Sequence, residues 1–424
     1  MKLKISQFII EREYSLNQTL LFHTLLRSLT LVDRLLYEKL KQELEDNYTP
    51  TVFSANLIDL GILIDCSIDE YKWYLFKINK EIFERRFFSF TFLVTRECNL
   101  KCEYCYENNN LGGNINKELI KDMIFFLRKI FEHKKTKFLD FTFFGGEPLL
   151  NIDAISQVSL QIKELSNEMS FKYSLHIVTN GYLLSNKNLK VLKRVGIESM
   201  QITLDGDRDF HDVNRHLKDG GPTFDVIYEN MINAINMDFE ITLNMNYDQR
   251  NFRSATQLLN RIPLELKEKI YIKFNEIIKT EDNKVISLSE QEKPFIKNAL
   301  YNTSSLKPFK MEDIEFIDDG PCLFKKKNTV IMNTNGDLSK CLFGLDDKRF
   351  NIGNIKDPDI LRKFNFYSLP FKESVYSESC KKCCVLPFCK GLCFREKLTR
   401  MDSIICPKKG FLEGEINYIL NSVK

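Results

Sequence analysis

Three cysteines stand within eight residues in the stretch TRECNLKCEYCYE (95–107): Cys98, Cys102 and Cys105, spaced C-x3-C-x2-C. Thiolates so close together are soft metal ligands. Each can hold one iron of a four-iron cubane, which leaves the fourth iron without a protein ligand and open to a small molecule. Closed ferredoxin-type carriers instead supply four cysteines per cluster. Zinc is the other reading, since Cys102 and Cys105 form a C-x2-C pair and Cys98 adds a third thiolate. No His or fourth Cys stands beside them to complete a tetrahedron.

Such a site needs rigid elements to hold it, and the triplet directly follows a β-like run, FSFTFLV. From about residue 89 to 280, short β runs (FTFLVT, FLDFTFF, SLHIVT, SMQITL, FEITLNMN, IYIKFN) alternate with helical patterns near 116–131, 151–168, 185–194, 223–237 and 252–262. This alternation predicts a parallel sheet, open or closed into a barrel. In such folds chemistry collects at the carboxyl ends of the strands. Cys98, Gly-Gly-Glu-Pro at 145–148, Thr-Asn-Gly at 179–181 and Leu-Asp-Gly at 204–206 all fall at such ends.

Residues 1–88 read as a separate small domain. QFIIERE and QTLLFHTLLRSLTLV predict strands, and DRLLYEKLKQEL a helix with Val32, Leu35, Leu36, Leu40 and Leu44 at helical spacing. NLIDLGILID predicts a short helix closed by Gly61 and a strand. Ser67 with Glu70 three residues on predicts a capping box for a second helix whose apolar face carries Ile68, Tyr71, Leu75, Ile78 and Ile82. From 320 onward regular periodicity fades and cysteines gather: NTVIMNTNGDLSKCLFG reads as a hairpin around Asn335 and Gly336, flanked by PCLF and CKKCCVLPFCKGLCF. The run Lys325-Lys326-Lys327 reads as a solvated face.

A chain of 424 residues can bury a core without disulfide staples, so its 12 cysteines need another explanation. The stretch MKLKISQFIIEREYS is broken by charges and lacks a signal-peptide core, and no run of about 18 uncharged apolar residues occurs. The expected compartment is the cytosol, where clustered thiols point to metal or redox chemistry. A net charge of +3 implies neither nucleic acid nor a membrane as partner.

The C-x3-C-x2-C triplet with an aromatic residue, Tyr104, before the last Cys, and Gly-Gly-Glu-Pro about 40 residues on, resembles the radical S-adenosylmethionine (SAM) superfamily. The later pattern Cys322-x13-Gly336-x4-Cys341, then Cys380-x2-Cys383-x5-Cys389-x3-Cys393 and Cys406, resembles the seven-cysteine SPASM extension. Ten cysteines are thereby assigned, leaving Cys66 and Cys384 as spare thiols. The resemblance implies an α/β fold: a partial (β/α)6 TIM-like barrel over 89–300, a SPASM domain over 301–424 and, at 1–88, a winged-helix-like domain for leader-peptide recognition. It implies three 4Fe-4S clusters and S-adenosylmethionine, cleaved to methionine and a 5'-deoxyadenosyl radical. Cys98, Cys102 and Cys105 would hold the first cluster. Cys322, Cys341 and Cys393 would hold an auxiliary cluster short of one ligand, and Cys380, Cys383, Cys389 and Cys406 a complete one. The cofactor would meet Gly145 and Gly146 at its amine, Arg215 at its carboxylate, Thr203 nearby and Tyr104 at the adenine, with Glu147 ordering the loop.

Relatives of this kind mature ribosomally made peptides or form formylglycine in sulfatases. Sulfatase maturases carry an aspartate directly after the hairpin cysteine, whereas Cys341 is followed by Leu342. The expectation is therefore a cytosolic maturase that cross-links a leader-bearing precursor peptide, first through a Cys thioether, with a carbon–carbon or ether link or formylglycine as alternatives. Its electron donor would be a flavodoxin or ferredoxin. From another class, the chain would be a non-catalytic iron-sulfur carrier or peptide-binding partner. No residue stands out as the proton acceptor.

Overall fold

The computed structural model describes residues 2–44, 51–84, 86–107, 113–133, 136–267, 269–277, 286, 322, 324–367 and 377–391. Two compact units divide the chain: residues 1–82, 308–322 and 370–424 form one, and 83–307 with 323–369 the other. The N-terminal segment thus shares a unit with the last cysteines, and the hairpin around Gly336 joins the parallel sheet.

The first unit holds β1 (Leu3–Ile5), β2 (Ile9–Ser15), β3 (Gln18–His23), β4 (Leu29–Asp33), α1 (Arg34–Glu43), α2 (Val52–Asp59), β5 (Leu63–Asp65) and α3 (Glu70–Ile82). Strands β2, β3 and β4 form an antiparallel meander, and β1 pairs with β5. Two local expectations change. Val32 belongs to β4, and α1 buries Tyr37 and Leu40 while Leu35 and Leu36 are exposed, because the helix starts at Arg34 under an Asp33 cap. Ser67 caps nothing: its hydroxyl donates to Asp65, and Asp69 accepts from Lys72 N instead. Glu70 is buried and turned inward, accepting from Ser6 Oγ and Gln7 N.

In the second unit follow β6 (Phe87–Thr95), β7 (Leu100–Cys102), α4 (Lys117–His133), β8 (Phe138–Gly145), α5 (Ile152–Met169), β9 (Lys172–Thr179), α6 (Asn186–Arg194), β10 (Ser199–Thr203), α7 (Arg208–Asn214), β11 (Arg215–Leu217), α8 (Phe224–Asn236), β12 (Glu240–Tyr247), α9 (Phe252–Arg261), α10 (Leu264–Lys267), β13 (Ile270–Glu276), β14 (Thr329–Met332), β15 (Asp337–Ser339) and β16 (Asn351–Asn354). The sheet order is β13-β12-β10-β9-β8-β6-β14-β15-β16. The first six run parallel, each laid beside its predecessor in sequence, which is the winding of a partial barrel.

The two faces of this sheet differ. Phe90, Phe92, Phe141, Ile177, Ile202 and Leu243 belong to the apolar core with the helices. Their alternates Ser89, Asp140, His176, Gln201, Asn244 and Asn246 line the other face, as the two-residue strand period requires. A closed eight-stranded barrel packs its interior with branched apolar side chains; this one keeps its interior polar. The lysine run also departs from expectation: Lys325 is buried, and the carbonyls of Lys326 and Lys327 accept from the Lys340 ammonium, which draws the run inward. Among the described residues no helix is long and apolar enough to cross a membrane.

Candidate active site

The cysteine loop leaves the end of β6 and is held from three sides. From below, the Gly-Gly-Glu backbone of β8 crosses it closely: Gly146 N donates to Thr95 O (3.0 Å) and Glu147 N to Glu97 O (2.8 Å). A Cβ on Gly145, at φ +133°, would stand 2.1 Å from Thr95 O, and one on Gly146 2.4 Å from Glu97 O. Only glycine lets the two backbones approach so closely. From one side, Glu147 accepts from Leu149 N (3.0 Å), Thr179 Oγ1 (2.7 Å) and Asn180 N (2.7 Å). Its carboxyl is fully enclosed, and burial pushes its pKa up to about 7 despite these three donors. Asn180 then donates to Asn99 Oδ1 (2.8 Å) and lies 3.7 Å from Cys98 Sγ. Two strand ends are thus wired to the first cysteine.

On the other side β7 pairs antiparallel with β11, which sets Arg215 directly across from Cys102. Arg215 is buried, and its Nη1 donates to Tyr104 OH (2.6 Å) and lies 3.8 Å from Asp205. Tyr104 OH donates to Asp205, and Asn246 Nδ2 donates to Tyr104 OH (3.0 Å) and to Asp205 (3.2 Å). His211, held neutral by burial and by the Arg215 charge, accepts from Asp205 N and bonds Thr223, whose hydroxyl donates to Arg215 O. Thr203 closes β10 beside Asn244. Sequence reading missed Asn180, Asp205 and Asn246 as site residues, although Thr-Asn-Gly and Leu-Asp-Gly were singled out as strand ends and Asn246 closes the run FEITLNMN; a polar residue in such a position is the signal available.

The residues fit a cluster with a chelated cofactor. Burial pushes the Cys98 and Cys102 thiols up to about 11 and raises Cys105 as well, so this pocket favours them neutral unless a cation compensates. Two buried nitrogens next to the cysteines, Arg215 Nε and Asn99 Nδ2, have no protein partner and are available to an anionic or carbonyl ligand. Among the described residues no three Cys, His, Asp or Glu side chains are grouped as ligands of one metal ion. Thiolates of a multi-iron cluster each take a different iron and need no such convergence.

The remaining cysteines divide between the units. Cys341 follows β15, and Cys322 is exposed. Cys380, Cys383 and Cys389 lie in or beside the short helical turns Glu378–Lys381 and Leu386–Cys389, packed against Phe8, Phe22 and Tyr74 of the N-terminal segment. Thr24 donates to Cys384 O (2.5 Å), Gln7 to Lys381 O (3.1 Å), and the Arg27 guanidinium lies over the Phe388 ring. Cys66 is exposed. Cys393 and Cys406 lie outside the described residues.

The sheet thus carries three thiols just past the end of its first strand, braced by Gly-Gly-Glu. Residues 92–248 match the radical SAM superfamily model: the chain carries a radical SAM domain and is an enzyme. A cysteine-type anaerobic sulfatase-maturating enzyme of Clostridium perfringens is 24% identical over 364 residues, covering 77% of this chain and 91% of the relative. An uncharacterized protein of Methanocaldococcus jannaschii is 30% identical over 151 residues, 35% of this chain and 50% of that protein. Among solved structures, anSMEcpe with bound AdoMet and a peptide aligns with TM-score 0.62 at 19% identity, covering 79% of this chain and 99% of the other. Streptococcus suis SuiB bound to precursor peptide SuiA aligns with TM-score 0.56 at 15% identity, covering 94% of this chain and 97% of the other.

Proposed function

We propose that this enzyme matures a ribosomally made precursor peptide, abstracting hydrogen from it and closing an intramolecular cross-link, first of all a thioether from a substrate cysteine. The observation that carries the reading is the half-buried loop of Cys98, Cys102 and Cys105 beside a buried Arg215 whose Nε is unpartnered. A 4Fe-4S cluster with bound S-adenosylmethionine supplies a 5'-deoxyadenosyl radical. Around it, Arg215 would bind the cofactor carboxylate by a charge-assisted contact, Glu147 and Asn180 hold the loop, and the buried sheet end excludes water. Thr203 and Tyr104 complete the cofactor wall. Cys322, Cys341 and Cys393, and Cys380, Cys383, Cys389 and Cys406, are proposed as ligands of two auxiliary clusters of a SPASM domain, with the 1–88 segment as leader-recognition domain.

Against formylglycine formation, Leu342 follows Cys341, and the next carboxylates of that loop are already engaged. Asp346 takes a bidentate pair from Arg96 (2.6 and 2.8 Å), and Asp347 is held by Arg349. Leader recognition is supported by β2 and β4, the two edges of the meander, to which an extended peptide can add a strand. It is supported too by the alignment with SuiB, which extends over 94% of the chain. The reaction belongs in the cytosol, with a flavodoxin or ferredoxin as electron donor. Anaerobic reconstitution tests the reading: release of 5'-deoxyadenosine with a thiol-consuming loss of two hydrogens from a cysteine-containing precursor is expected. No cleavage of S-adenosylmethionine by iron-loaded protein would reduce it to an electron carrier, and cross-linking of a cysteine-free precursor would replace the thioether by a carbon–carbon or ether bond.

A further inference from the structure

The polar face of the sheet carries a hydrogen-bond chain that runs across two strands into the cofactor site. Asn275 on β13 donates to Asn244 Oδ1 on β12; Asn244 Nδ2 donates to Asn246 Oδ1 (3.0 Å); Asn246 Nδ2 donates to Tyr104 OH and Asp205. Asn246 and Asn275 are register partners, and Asn244 lies two residues back on the same face. The direction of the chain is imposed from its inner end. The Arg215 guanidinium can only donate, so Tyr104 OH must accept from it and spend its one proton on Asp205. Asn246 therefore turns its amide nitrogen to Tyr104 and its oxygen outward, which forces the same orientation on Asn244 and then on Asn275. Asp205 is further pinned by Asn246 N (3.0 Å).

We infer that Asn244, Asn246 and Asn275 are positioning residues: the directed amide chain holds Tyr104 and Asp205 so that Arg215 keeps Nη1 on Tyr104 and Nε free for the cofactor carboxylate. This rests on the reading of Arg215 as the carboxylate partner of S-adenosylmethionine. Buried polar chains of this kind hold their members in place only when every link is made. Breaking one link frees the Tyr104 ring and lets the guanidinium turn its unpaired nitrogen onto Asp205, so the cofactor must pay for its return.

The probe is S-adenosylmethionine itself, its dissociation constant measured by equilibrium dialysis on anaerobically reconstituted enzyme of known iron content. Asn244→Leu is expected to weaken binding about tenfold, the order set by one buried amide left unpaired. Asn244→Asp keeps the shape but cannot donate to Asn246 and turns a carboxylate toward its Oδ1, so a loss at least as large is expected. Asn275→Ala, at the half-exposed outer end, guards against misfolding and is expected to cost about threefold. With wild-type iron content and melting temperature, raised KM for the cofactor and little change in kcat mark positioning. Affinity within twofold of wild type for Asn244→Leu would overturn the inference; wild-type enzyme that binds no S-adenosylmethionine would overturn the site reading beneath it instead.

Discussion

The loop of Cys98, Cys102 and Cys105 gathers three thiols into a short segment and the turns of Cys380, Cys383, Cys384 and Cys389 gather four, yet they are held by opposite means. Around the first, hydrogen bonds dominate: Gly-Gly-Glu, Asn180, Arg215 and Tyr104 each meet the loop in a stated direction. Around the second, apolar packing dominates: Leu386 and Cys383 sit against Phe8, Leu25, Tyr74, Ile78 and Ile82, and Phe388 against Phe22. Packing is non-directional and gives stability, while directed hydrogen bonds fix an angle. On the proposed reading, a cluster that must present an open iron to a cofactor needs the angle, and one that only has to stay in place needs the packing.

The largest effect expected separates the two regions outright. Replacing Cys98, Cys102 and Cys105 by Ala should abolish 5'-deoxyadenosine release while about eight irons per chain remain, two cubanes' worth; iron analysis checks it, and loss of all iron would show that the regions are not independent. Next, Arg215→Met strands the enclosed Asp205 without a counter-charge and should cost about 3–5 kcal/mol of stability, read by denaturant unfolding. A much smaller cost would mean that Asp205 is satisfied by Tyr104 and Asn246 alone.

In the apolar region, Leu386→Ala removes a side chain that is 1% exposed and should destabilise the first unit by about 3 kcal/mol. S-adenosylmethionine cleavage should stay near wild type, because no directed contact of the first cluster loop is touched. The smallest effect concerns pH. His23 is fully buried, and burial, then Lys77 and Arg27, bring its pKa down to about 4. Its Nδ1 accepts from Leu25 N and Leu26 N, so the proton sits on Nε2, facing Ser6 Oγ. Between about pH 6.5 and 4 the unfolded state binds the extra proton and the folded state does not, so stability is present above that window and lost as pH falls through it. The loss between pH 7 and 5 should be about 2 kcal/mol. His23→Asn, which keeps an acceptor for the two amides, should flatten that slope in thermal melts; an unchanged slope would assign it elsewhere.

Much of this was legible in the chain itself. Six strands and five helices of the second unit fall where alternation placed them, because burying one face writes a strict period into the sequence. Gly-Gly-Glu was legible for the same local reason: close backbone approach demands glycine at particular positions. Local rules failed where tertiary contacts competed. Glu70 left its helix end for Ser6 and Gln7, 64 and 63 residues away in sequence, and Lys325 was drawn in by the Lys340 anchor.

What the sequence determined by itself was therefore the inventory: a parallel α/β scaffold, three thiols one ligand short of a closed cluster, and the glycines that let them be braced. Only the tertiary structure decided the wiring. That Arg215 lies opposite Cys102, that Asp205 and Asn246 orient Tyr104, and that Cys383 and Cys389 rest on the N-terminal strands are all contacts between residues far apart in the chain. No spacing rule records them, because hydrogen-bond direction and packing depend on where strands end in space and not on the residues between them.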